Sequence, residues 1–547
     1  MARLSTGEAV VESLLQAGIE TVFAVPGVHN DPFFDAMARA APRIRVIHAR
    51  HEQTAGYMAL GAALATGRPA AFSVVPGPGL LNASAALLTA YGLGAPVLAI
   101  VGQIPQIAID QGFGHLHELR DQLGLLRHFT KYAARITHPA EAPHLVAQAL
   151  AEATSPPMRP VALECAIDVW PRVAEITAFP EARPRPLLPD PEAVAAAVRA
   201  LASAQRPLII AGGGALHAGP ELRALADSLG APVMTYRRGR GLLPSEHPLA
   251  IPVPVAHRLW AATDVVLSVG ARSLFPLAWW GTDRNLTVIR IEADAMQMEK
   301  PRPPDLPIVA DAAAALAAIA GALSSTKRPP RADLAEARAW FAGEVAKLEP
   351  QMSLLRAIRN ALPDDGILVE DVTQLGFVGR LAFPVSRPRL YLSAGYQDNL
   401  GWAYGAALGV AAALPGRSVV ALAGDGGFLY QAAELATAVH HRLPVVALVI
   451  DDGAFGNVRR IQQEMFGNRL IACDLTNPDF VRFAESFGVT AFRASNAEEL
   501  EQALRAALAL SAPALVHVPV GPMPNPWRFI HLPRVRGFDE SWRRQLP

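Results

Sequence analysis

The chain has 547 residues, with 49 Lys or Arg against 49 Asp or Glu, so no net field draws it toward nucleic acid or an anionic membrane, and a small-molecule partner is expected. That length exceeds the roughly 250 to 300 residues at which one hydrophobic core stops growing, so two to four domains are expected. The two cysteines, Cys165 and Cys473, lie far apart in the sequence, which excludes a disulfide framework and a cysteine metal cluster and fits a reducing, cytoplasmic setting.

Residues 1–18 carry charges through their apolar stretch and read as an amphipathic helix, not a signal peptide. Short Val-, Ile- and Leu-rich runs then recur at 21–25, 70–75, 97–101, 207–211, 265–269, 419–423 and 445–450. They alternate with longer Ala- and Leu-rich helical patterns, which is the signature of parallel sheets covered by helices, so the fold class is α/β. Several runs end in Gly, Pro or Asp, and in open α/β sheets ligands collect at the carboxyl ends of strands. Proline- and charge-rich stretches at 179–191 and 324–331 read as linkers. They divide the chain into parts at 1–178, 192–323 and 332–547. The Ala-rich run 312–323 is too short to span a bilayer and reads as a helix packed on a surface. The proline-rich stretch 522–536 reads as a lid or as a surface arm.

The segment 419–457, VVALAGDGGFLYQAAELATAVHHRLPVVALVIDDGAFGN, reads as strand, Gly-Asp-Gly turn, helix, strand and Asp-Asp-Gly. Glycines at a strand end let the backbone approach a phosphate, and Asp425 offers a hard oxygen to a divalent cation. The crossover returns the chain to a neighbouring parallel strand, so Asp451 and Asp452 arrive on the same edge. Magnesium binds through one or two such side chains plus substrate phosphates. A lone Gly-Asp-Gly also occurs in ordinary strand-turn-helix units; the pairing of two acidic strand ends gives the motif its weight. Upstream, RIRVIHARHEQTAGYMALGAALATG (43–67) ends a strand at His51-Glu52 and starts a helix of small residues. A Glu there is commonly a partner of the helix dipole, and His51 reads as structural.

Taken together these segments resemble the thiamine diphosphate enzymes of the acetolactate synthase-like group, along essentially the whole chain. The resemblance implies a pyrimidine-binding domain, a middle domain and a diphosphate-binding domain, assembled as a homodimer or homotetramer with the site between the first domain of one subunit and the third of another. It implies magnesium held by the side chains of Asp425 and Asp452 and the carbonyl of Ala454. It further implies thiamine diphosphate contacts from Gly77, Gln374, Leu400, Gly424, Asp425, Gly426, Gly427, Asp452, Phe455, Gly456 and Asn457. Leu400 matches the residue that bends the cofactor, and Glu52 matches the glutamate that hydrogen-bonds the aminopyrimidine and so activates the thiazolium.

Four departures stand out. Asp452 stands where the family usually has Asn. The middle segments LIIAGGGALHAG and VLSVGARS are followed by SLFPLAWW in place of the family's acidic and arginine residues, so FAD is not expected. His29, in VPGVHND, is a candidate proton shuttle or a solvent-facing turn histidine. His115, His117 and Glu118 replace a glutamine-containing stretch of acetolactate synthases. The resemblance therefore implies C–C bond cleavage or formation next to a carbonyl, with 2-oxo acid decarboxylation, carboligation or both expected. A non-decarboxylating lyase or hydrolase of diketones or hydroxyketones is the alternative, and an inactive regulatory subunit is a further one.

Overall fold

The computed structural model describes residues 2–323 and 327–537. Three six-stranded sheets flanked by helices form its frame. The first runs, edge to edge, Arg45–His48, Thr21–Ala24, Ala70–Val74, Val97–Gln103, Val161–Ala166, Tyr132–Ile136, all parallel. The middle sheet runs Ala250–Ile251, Val233–Thr235, Pro207–Ala211, Val265–Val269, Thr287–Glu292, Leu306–Val309, also parallel. The third runs Tyr391–Ser393, Ile367–Glu370, Val419–Gly424, Val445–Asp451, Ala514–Pro519, Thr490–Arg493, with parallel pairing from Ile367–Glu370 onward. All seven expected strands are present, because buried parallel strands are apolar on both faces and announce themselves as continuous runs.

The chain divides into two compact units. One comprises residues 2–185, 360–373 and 392–521; the other comprises the described residues of 186–359, 374–391 and 522–537. Within the first unit, the helices Glu52–Thr66 and Trp402–Ala413 are buried on nearly every face. Their sequences are rich in Gly and Ala because the two backbones nearly touch. A Cβ on Gly61 would lie 2.0 Å from the carbonyl oxygen of Ala406, and one on Gly409 would lie 1.9 Å from that of Met58. This contact fastens the helix that begins at Glu52 to the part of the unit that carries the Gly-Asp-Gly turn.

In the second unit the sequence reading needs adjustment at two places. The helix Pro191–Ser203 starts inside the first expected linker, because Asp190 caps it by accepting the N–H of Glu192. Of the second linker, 324–326 lie outside the described residues. Arg331, at its end, is buried and donates to Asp333, to the Thr263 hydroxyl and to the Leu259 carbonyl, so this end of the segment is docked, not free. The proline-rich C-terminal stretch is an arm on the same unit. Trp527 packs on Phe377 with ring centroids 4.8 Å apart, and Arg536 donates to the carbonyls of Trp260 and Thr263.

Candidate active site

The third sheet builds the first half of the site. In the register of the central strands Gly424 lies opposite Ile450, so Asp425 and Asp451 leave the same sheet edge side by side. Asn477 ties them together: its amide donates to Asp425 Oδ2 at 2.7 Å and to Asp451 Oδ1 at 2.8 Å. His517, on the next strand, lies 2.9 Å from Asp451 Oδ2 through Nε2. Asp425 is 2 % exposed. Burial raises its carboxyl above the usual range, the Asn477 amide pulls it back, and the Asp451 charge raises it again. Burial, then the charge of Asp425, pushes Asp452 up to about 6. Asp425 is buried with Asp451 and Asp452 half-buried beside it, and their all-oxygen donor set suits a hard divalent cation.

Glycines shape the cradle around them. A Cβ on Gly426 would come 2.7 Å from the Phe455 ring, and Gly427 packs on Asp371 Oδ2. Gly401, with φ of 81°, donates its N–H to the same oxygen at 2.9 Å and directly follows the half-buried Leu400. Burial raises Asp371 to about 7, against the backbone N–H groups of Val372 and Gly401 that favour its charged form. The loop after Asp452 is fixed by its backbone: Ala454 bridges Asp474, and the Phe455 N–H donates to the Cys473 carbonyl at 2.7 Å. Gly456 opens the helix Gly456–Met465, and Asn457 accepts from Arg460 at 3.0 Å. Gln374 opens the helix Gln374–Ala382 in the other compact unit.

The first sheet builds the second half. The strand Arg45–His48 ends three residues before His51, which caps the next helix by accepting the Gln53 N–H. Glu52 is the first residue of that helix, is half-buried, and accepts the Asn82 amide at 3.0 Å. The turn before it is held by a buried carboxylate: Glu434 accepts the N–H groups of Arg50 and His51, each at 3.1 Å. Gly77 caps the helix Pro78–Leu93 with φ of 58°, which a residue with a side chain rarely adopts. Its N–H donates to Gln122, whose own amide donates to the buried Glu164 at 2.9 Å.

His29 is not a solvent-facing turn residue. It is 4 % exposed and its ring stacks on that of His117, centroids 5.1 Å apart, with the Nδ1 atoms of both left without a hydrogen bond. Burial, then the neighbouring His117, lowers the His29 imidazole below its usual value, so it is neutral at physiological pH. Asn30, beside it, is fully buried and donates to the Val74 carbonyl.

Thus the structure gathers Asp425, Asp451, Asp452 and the flanking glycines at one strand edge, and pairs Glu52 with Asn82 and His29 with His117. The sequence reading passed over Asn477, His517, Asn82, Glu434, Asp371 and Gln122. Asn82 follows the Gly-Pro-Gly turn by one helical step and was open to inference; Asn477 and Glu434 arrive through tertiary contacts that no local pattern announces.

A glycine-lined acidic cradle at the carboxyl ends of parallel strands defines a class of proteins that grip a phosphorylated cofactor through a cation. Comparison narrows the class. Residues 4–125, 194–319 and 371–518 match the N-terminal TPP-binding, central and C-terminal TPP-binding domains of thiamine pyrophosphate enzymes. A probable 2-ketoarginine decarboxylase of Pseudomonas aeruginosa is 34 % identical, with 94 % of each chain covered. An acetolactate synthase isozyme 1 large subunit of Escherichia coli is 29 % identical over 94 % of each chain. A sulfoacetaldehyde acetyltransferase of Castellaniella defragrans is 29 % identical, over 92 % of this chain and 90 % of its own. The chain belongs to the thiamine pyrophosphate, or thiamine diphosphate, enzyme family.

Proposed function

We propose that the chain decarboxylates a 2-oxo acid and either protonates the product or joins it to an acceptor carbonyl, using thiamine diphosphate and magnesium. The observation that carries this reading is the part-buried Asp425–Asp451–Asn477 cluster at two adjacent parallel strand ends. The 34 % identity to a probable 2-ketoarginine decarboxylase supports a 2-oxo acid as substrate, with guanidino 2-oxo acids first among those to try.

Asp425, Asp452 and the Ala454 carbonyl are the magnesium ligands in this reading, and Gly424, Gly426, Gly427, Phe455, Gly456 and Asn457 line the diphosphate. Gly77 and Leu400 are further cofactor contacts in this reading. Held there, thiamine diphosphate would supply a carbon acid whose conjugate base is a nucleophile toward carbonyls, and a thiazolium ring able to act as an electron sink. Glu52 holds the aminopyrimidine in the tautomer that accepts a proton, and the Asn82 amide orients the Glu52 carboxyl. His29 and His117, their rings stacked, are the imidazoles that exchange a proton with the substrate oxygen in this reading. The reading includes parts at 1–178, 192–323 and 332–547, a homodimer or homotetramer, and a cytoplasmic location; no described helix is long and apolar enough to cross a membrane.

The stacking of the buried His29 on the half-buried His117 also favours a second reading, a lyase of hydroxyketones or diketones that releases no carbon dioxide, because such a substrate needs a base at its hydroxyl. A panel of 2-oxo acids and hydroxyketones, each incubated with protein, magnesium and thiamine diphosphate and followed for carbon dioxide, separates the two. Release from one acid supports decarboxylation, and turnover of a hydroxyketone without release replaces it by the lyase.

A further inference from the structure

Three histidines that the cofactor site does not use meet on the first compact unit. His48 ends the edge strand Arg45–His48, while His440 and His441 close the helix Leu435–His441. One ring nitrogen from each lies within 4.8 Å of the other two. The rings crowd edge to face, with each pair of centroids 4.7 Å apart. His441 Nε2 stands 3.1 Å from His48 Nδ1 and accepts the His48 N–H at 3.1 Å. Two imidazole nitrogens on one tetrahedral zinc, with bonds of about 2.0 to 2.1 Å, stand about 3.3 Å apart, so this pair already has close to the spacing of two ligands. His440 is exposed, and a turn of its side chain brings in the third nitrogen.

We propose that His48, His440 and His441 form a binding site for a borderline divalent transition-metal ion of the zinc type, with water as the fourth ligand. Imidazole donors select such ions over magnesium, which prefers oxygen. The site shares no residue with the Asp425 cluster, so the two metals do not compete for donors. Arg45, which donates to the His441 carbonyl, adds positive charge beside the rings and keeps the affinity moderate.

The position gives the ion a job. His48 lies on the same short connection as Arg50, His51 and Glu52, and the Arg50 and His51 N–H groups are held by Glu434, one helix upstream of His440 and His441. A metal across the three rings takes the lone pair with which His441 Nε2 accepts the His48 N–H, so a coordination bond replaces that hydrogen bond beside the Glu434 pin and stiffens the chain just ahead of Glu52.

The test is calorimetric titration of zinc chloride into tag-free protein saturated with magnesium and thiamine diphosphate, alongside the variants H440A and H48Q. One saturable site per chain, weakened by at least about tenfold in both variants, is expected. Absence of a saturable site in the unaltered protein, or binding unchanged in H440A, overturns the proposal. Because His440 is exposed, H440A retains the fold. Cobalt(II) gives an independent readout: the visible absorption of a tetrahedral nitrogen-ligated ion in the unaltered protein and its loss in H440A support the site, and octahedral-type absorption in both contradicts it.

Discussion

At the scale of single residues, the two halves of the site differ in how they are held. Asp425 is fixed by the Asn477 amide and by a strand register, so its position follows from the sheet. Glu52 depends on caps and single hydrogen bonds: Asn82 on its carboxyl, His51 at the helix start, Glu434 on the turn before. In the proposed mechanism its role is to hold a proton-accepting tautomer, which a carboxamide does poorly. Glu52→Gln is therefore expected to slow the C2 proton exchange of bound thiamine diphosphate by about 100-fold or more while leaving cofactor affinity within a few-fold. Quenched-flow exchange followed by NMR measures this, and unaltered exchange removes Glu52 from the chemistry.

At the scale of elements, the Glu52–Thr66 and Trp402–Ala413 helices pack with almost no side-chain layer between them. A methyl group on Gly61 has only the Ala406 backbone to push against, so Gly61→Ala is expected to cost roughly 1 to 3 kcal/mol or more and to lower the melting temperature. Differential scanning calorimetry reads the shift; a melting temperature equal to that of the unaltered protein means the helices part easily. This element scale is where the sequence was most legible. Strands such as Pro207–Ala211 and Val265–Val269 have the expected bounds because an apolar run buried on both faces has one sensible reading. The Gly-Asp-Gly turn and the second acidic strand end were legible for the same reason. His29 was not: burial depends on the stacking of His117, about ninety positions away in the chain, and nothing local distinguishes a buried histidine from a solvated one. Asn477 and Glu434 sit in segments whose composition reads as an ordinary loop and helix, and only the folded chain carries them to Asp425 and to the turn before Glu52.

At the scale of the whole molecule, several buried acids shape the response to pH. Asp371 is raised to about 7 and Asp452 to about 6, and Asp425 is raised as well, each chiefly by burial. In the unfolded chain these groups ionise near 3.9. Between those values the folded state keeps protons that the unfolded state has lost, so their contribution is fully present below about 4 and fades as pH rises toward about 7. A cation at Asp425 and Asp452 reverses this for those two, because it binds their ionised forms. The rise in melting temperature on adding magnesium and thiamine diphosphate is therefore expected to grow between pH 5 and pH 8, by about 1 kcal/mol or more in stability. A rise that stays constant with pH means that these carboxylates are not the ones that bind.

The most direct measurement of the central claim is titration of thiamine diphosphate into metal-stripped protein, with and without magnesium, repeated with Asp425→Asn. Magnesium-dependent binding, weakened by about 100-fold or more in the variant, is the predicted result, since in the proposed site Asp425 would hold the cation that the diphosphate needs. Binding that ignores magnesium, or that survives Asp425→Asn unchanged, contradicts the assignment of the buried acidic cluster as the seat of the cofactor.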